Sequence, residues 1–85
     1  MTVEELYLKE LERIKKLAKR YARMFYVDYD DLFQEGNLAL IETYRNYAFK
    51  TSDEALLKIS HRMINRRMYK YAKEEYRRNH TECNE

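Results

Sequence analysis

The chain has 85 residues, enough for one domain with a modest core and too few for a large one. Hydrophobic residues make up 45% of it, which excludes a disordered tail, and the absence of Pro beside a single Gly argues for helices throughout. A net charge of +2 hides a division, since residues 28–42 hold five acids and no base, whereas residues 58–78 hold eight bases against Glu74 and Glu75. Such a split suits a protein with two different partners, nucleic acid being a candidate for one.

The spacing predicts a first helix over residues 2–25. Tyr7, Leu11, Ile14, Ala18, Tyr21 and Phe25 recur at three- and four-residue steps and mark its inner stripe. Glu5, Lys9, Arg13, Lys16 and Arg20 decorate the other side, with Glu5–Lys9 and Glu12–Lys16 in the favourable acid-before-base order. A joint follows at residues 27–30, where Asp28 is placed to cap the next helix and Asp31 to imitate the acid of a capping box.

The second helix runs to about Tyr47, with Leu32, Phe33, Gly36, Ala39, Leu40, Thr43 and Tyr47 facing inward. Gly36 in mid-helix costs about 1 kcal/mol relative to Ala. A close approach of another helix's backbone would account for it. A second joint covers residues 48–52, and Thr51 followed by Glu54 reads as a capping box for a third helix. Ala55, Leu56, Ile59, Met63 and Ile64 form its apolar face. Beyond Arg66 the periodicity weakens, so the domain is expected to span residues 1–79 and residues 80–85 to fray.

Several functions are not expected. Cys83 is alone and reads as an inert thiol in an intracellular protein. The first residues lack the basic-then-apolar order of a signal peptide, and no apolar run approaches the roughly 18 residues that span a bilayer. A cytoplasmic protein away from membranes is the expectation. His61 and His80 have no Cys or carboxylate at metal spacing, and one Gly cannot build a phosphate-cradling loop. Asp30 and Asp31 point apart on a helix start, so paired acid–base work is not expected either. Neither a catalytic residue nor a cofactor is assigned.

Residues 17–47 read LAKRYARMFYVDYDDLFQEGNLALIETYRNY. A basic helix ending in LAKRY, then Asp31, Leu32, Gln34, Glu35, Gly36 and Leu40 in the order D-L-x-Q-E-G-x-x-x-L, resembles region 2 of the sigma-70 family of RNA polymerase sigma factors. Convincing resemblance covers residues 11–47, and a looser one, to the smaller extracytoplasmic-type sigma factors, continues over residues 59–78. It implies an all-α, three-helix domain with a long basic third helix. It also implies that the second helix docks on the clamp helices of the polymerase β′ subunit through Asp31, Gln34, Glu35, Asn37, Leu38 and Ile41. A surface mixing acids, an amide and aliphatic groups suits a basic, partly apolar helix pair.

In the family the third helix melts the −10 promoter element. Here the family pattern F-x-T-Y-A-x-W-W becomes residues 51–58, with Leu57 and Lys58 at the paired tryptophans and Glu54 at the preceding aromatic. What remains is electrostatic. Arg62, Arg66, Tyr69, Lys70 and Lys73 are expected on one face beside Asn65, where bases neutralise phosphates, Asn reads an adenine edge and Tyr stacks on an unpaired base. The resemblance stops where a complete sigma factor continues into region 4, so a partner chain supplying region 4 is one expectation. Two other readings stay open. One is a protein that binds the polymerase, or an anti-sigma-like partner, without opening DNA. The other is a small DNA-binding domain unrelated to polymerase.

Overall fold

The computed structural model describes the backbone of residues 1–83 and the side chains of residues 1–80. The fold is all-α: α1 (Val3–Phe25), α2 (Tyr29–Tyr47) and α3 (Asp53–Cys83), with one 3₁₀ turn (Ala48–Lys50) before α3. The third helix therefore carries on past Asn79, where the sequence pattern fades. The remainder of the expected frayed tail, and the Cys83 thiol, lie outside the described residues.

Each helix begins on a side-chain cap. At α1, Thr2 and Glu5 form a reciprocal capping box: Thr2 Oγ1 accepts from the Glu5 N–H at 3.1 Å, and Glu5 Oε1 accepts from the Thr2 N–H at 2.9 Å. At α2, Asp28 Oδ1 accepts from the backbone of Asp30 and Asp31, as expected, but Asp31 makes no return bond and stays exposed. At α3 the cap is Ser52 rather than Thr51. Ser52 Oγ accepts from the Ala55 N–H at 3.2 Å, while the Thr51 hydroxyl turns back to the Tyr47 carbonyl at 2.8 Å. The end of α1 is closed by Tyr26 in the left-handed region, φ 58°, with the Val27 N–H returning to the Ala22 carbonyl.

Contacts along the chain fix the directions. Met1 meets Asp53, Glu10 meets Ser60 and His61, and Tyr21 meets Asn65, so α1 and α3 run parallel. Arg67 on α3 meets Glu35 and Glu42, and the Tyr44 hydroxyl reaches the Met1 carbonyl, so α2 runs antiparallel to both. Gly36 sits where the three helices converge. A Cβ there would lie 2.8 Å from Ile14 Cγ2 and 2.9 Å from Met68 Sδ, so side chains rather than a neighbouring backbone require the glycine.

The core departs from the expected stripes in two places. On α1 the buried positions are Leu6, Glu10, Ile14, Ala18 and Tyr21, with Tyr7 and Leu11 only half-buried. On α3 burial continues through Leu56, Ser60, Ile64, Met68 and Ala72, a strict four-residue repeat extending a turn and a half beyond Arg66. A repeat of four drifts around a helix with about 3.6 residues per turn, so the buried stripe winds across α3 as it passes its neighbours. Ile59 and Met63 are left half-exposed.

Candidate functional site

The outer ridge of α2 is made by Gln34, Leu38 and Ile41, with Leu38 45% and Ile41 44% exposed. Asp31 continues it toward the helix start, where the acids complement the helix dipole. Asn37 and Glu35 lean to opposite sides of this ridge. Asn37 faces α1 and lines a shallow apolar groove with Val3, Tyr7, Leu8, Leu40 and Ile41. Its Oδ1 is buried and has no hydrogen-bond partner among the described residues. A buried amide oxygen left unpaired is costly.

Glu35 leans toward α3. Its Oε1 accepts from Arg67 Nε at 3.2 Å, and Arg67 Nη1 donates to Glu42 Oε2 at 2.7 Å. Burial alone would lower the Arg67 pKa, but hydrogen bonds to Glu35 and Glu42 outweigh it and raise the value. The Tyr71 hydroxyl is pushed up by burial first and then by Asp31, Glu75 and Glu35, so it stays neutral in this acidic corner. Of the six residues expected in a docking face, Asp31, Gln34, Leu38 and Ile41 are freely presented, Asn37 borders the groove and Glu35 is tethered. The chain pattern had left out Leu8, which is 69% exposed and extends the apolar surface onto α1.

The expected nucleic-acid residues of α3 divide between two sides. Arg66 and Lys70 line a cleft against α2 with Glu42, Thr43, Asn46 and Tyr47. Asn65 and Tyr69 lie along the seam with α1. The Tyr21 hydroxyl donates to Asn65 Oδ1 at 2.6 Å, and the Tyr69 ring packs edge-on to Tyr21 and Phe25 at 5.8 and 5.7 Å. Tyr69 is nonetheless 43% exposed, with Lys73 Nζ 5.9 Å from its ring centre. Arg62 and Lys73 are exposed, Lys73 on the Tyr69 side. They do not form the single face the numbering suggests, because Arg66 and Lys70 turn one way and Asn65 and Tyr69 the other.

A buried polar cluster went unread in the sequence. Glu10 is fully buried, and its Oε2 accepts from the Ser60 hydroxyl at 2.9 Å, a hydroxyl shared with the Leu57 carbonyl. His61 Nε2 lies 2.6 Å from Glu10 Oε1, but off the line of a hydrogen bond. Ser60 is held by the carboxylate and not by the imidazole, so the three do not form a nucleophile–base relay. Among the described residues no three His, Cys, Asp or Glu side chains gather around a metal-sized space. No described helix is long and apolar enough to cross a membrane.

Comparison with known proteins returns no matching family model, curated protein or solved structure. The likeness to sigma region 2 therefore rests on the residues of α1 and α2 themselves.

Proposed function

We propose that this protein is a sigma-region-2-like transcription factor that acts in the cytoplasm, docking on the polymerase β′ clamp helices through α2 and meeting promoter −10 DNA through α3. The observation that carries the reading is the outer surface of α2. Gln34, Leu38 and Ile41 stand on one exposed ridge that begins in the D-L-x-Q-E-G motif and is bordered by an apolar groove lined by Asn37. A basic helix with an aliphatic stripe would cover the groove and meet the carboxylate of Asp31. Glu35 joins only if a partner cation replaces Arg67. A competition assay tests the reading: the chain should displace a labelled sigma factor from core polymerase, and no displacement at saturating chain would rule docking out.

A second reading has specific support on α3. Leu57, Lys58 and Glu54 stand where the family carries aromatics, and Asn65 and Tyr69 are already engaged by Tyr21 and Phe25. In that reading the protein occupies the polymerase, or is held by an anti-sigma-like partner, without opening DNA. Permanganate footprinting of a promoter in the presence of core polymerase separates the two, since only a melting factor exposes thymines in the −10 element.

A further inference from the structure

Arg66 and Lys70 border an open cleft between α3 and α2. Its floor is Ala39 and Thr43 on α2 and Met63 on α3. Two short side chains at positions 39 and 43 leave the space open. The Thr43 hydroxyl is spent on the Ala39 carbonyl at 2.7 Å, so the floor offers no free hydroxyl. The volume is about 300 Å³, at the small end of the range for sites that take small molecules.

The rim is polar, and positive charge prevails on it. Arg66 and Lys70 are exposed, share one side of α3 at four-residue spacing, and form no ion pair among the described residues. Arg67 stands beside them, held by Glu35 and by Glu42, which also lines the cleft. Those bonds use Nε and Nη1, so the guanidinium keeps further N–H donors. Three bases thus meet one carboxylate that is already neutralised. On the α2 wall, Asn46 is exposed and its side chain makes no hydrogen bond among the described residues. Next to it the half-buried Tyr47 ring carries Lys50 Nζ 5.2 Å from its centre.

We infer that the α2–α3 cleft is a binding site for a small phosphorylated ligand of the nucleoside diphosphate class. Its phosphates are held by Arg66, Lys70 and Arg67, and its base sits against Asn46 and Tyr47. Guanidinium groups meet phosphate oxygens through paired, charge-assisted hydrogen bonds, and an ammonium adds a point charge. A side-chain amide can pair with the edge of a base, and a tyrosine ring can stack on its face. A lone carboxylate would engage one of the bases and leave the amide and the ring unused. The inference goes beyond the reading above and needs no contact with polymerase. It gives Arg66 and Lys70 a small ligand, so that ligand and promoter DNA would exclude each other at these two residues.

The test is displacement of a fluorescent ADP analogue from the full chain by unlabelled ADP and by pyrophosphate, followed by anisotropy at low salt. ADP should bind with a Kd below about 1 mM. It should bind at least about fivefold more tightly than pyrophosphate, because the base adds a stacking contact. Arg66→Ala/Lys70→Ala should weaken ADP binding at least about tenfold with unchanged circular dichroism, so that misfolding is not mistaken for lost binding. Lys16→Ala/Arg20→Ala, which removes the same charge from α1, should bind as wild type. Amide NMR shifts on adding ADP should move at Thr43, Asn46, Tyr47 and Arg66. No binding of ADP by the wild-type chain, equal losses in the two variants, or shifts centred on α1 would overturn the site. Pyrophosphate binding as tightly as ADP would overturn the nucleotide as its ligand.

Discussion

Arg67 reaches from α3 to Glu35 on α2, Nε to Oε1 at 3.2 Å, and holds Glu42 with Nη1 at 2.7 Å. One guanidinium thus staples the antiparallel pair on the side away from α1 and occupies a carboxylate of the candidate docking motif. The Arg67 side chain is 34% exposed, so solvent screens the bridge.

Replacing Arg67 by Ala should therefore cost only about 1 kcal/mol or less in urea unfolding. Glu35→Ala should cost a similar amount. The double variant should be less destabilised than the sum of the two, because both remove one shared interaction. Additive losses would mean that the bridge contributes nothing and that each side chain acts through its own packing.

Gly36→Ala sets helix propensity against space. Alanine gains about 1 kcal/mol of intrinsic helix stability. The new methyl would sit 2.8 Å from Ile14 Cγ2 and 2.9 Å from Met68 Sδ. Met68 can bend away, but the β-branched Ile14 is stiff at χ1. Overpacking of this kind costs about 1–3 kcal/mol, so net destabilisation is expected by thermal unfolding. A more stable Gly36→Ala protein would show that Ile14 yields.

Glu10 separates burial of charge from burial of volume. Glu10→Ala leaves a hole beneath Ser60 and His61 and should cost about 2–4 kcal/mol. Glu10→Met keeps the volume and removes the buried carboxylate, and should be within about 1 kcal/mol of wild type or more stable. His61→Ala leaves the carboxylate buried with Ser60 alone and should destabilise more than Glu10→Met. Chemical denaturation of the three variants checks this order.

The capping box makes α1 sensitive to acid. The Thr2 backbone N–H, then its hydroxyl, holds the exposed Glu5 carboxyl below its ordinary value of 4.5. Because the folded value lies below the unfolded one, the contribution is complete above 4.5 and is lost as pH falls through the folded value. The stability difference between wild type and Glu5→Ala should be constant near neutrality and narrow below pH 4.5. A difference that widens in acid would contradict the assignment.

Much of the helical plan was legible from the residues. Ile14, Ala18, Leu32, Ala39, Leu40 and Ile64 are apolar at helical spacing and all prove buried. The misses have physical causes. In α1, two stripes compete, Tyr7–Leu11 and Leu6–Glu10, and an acid at position 10 argues against the second unless its partners on α3 are known. Ser60 disguises the four-residue repeat of α3 in the same way. Thr51 and Ser52 are both good caps, and the 3₁₀ turn decides between them by directing the Thr51 hydroxyl to Tyr47. In the candidate site, Gln34, Leu38 and Ile41 could be read as one ridge from spacing alone. The tether on Glu35, the engagement of Asn65 and the division of the α3 bases depend on how the helices pair.

Docking through α2 is the central claim, and calorimetric titration of the chain against an isolated β′ clamp-helix fragment tests it most directly. Wild type should bind with micromolar or better affinity, on the order of −8 kcal/mol. Gln34→Ala/Ile41→Ala should lose at least about tenfold, whereas Arg62→Ala on α3 should bind as wild type. No heat of binding for the wild-type chain, or equal affinity for the α2 variant, would contradict the account.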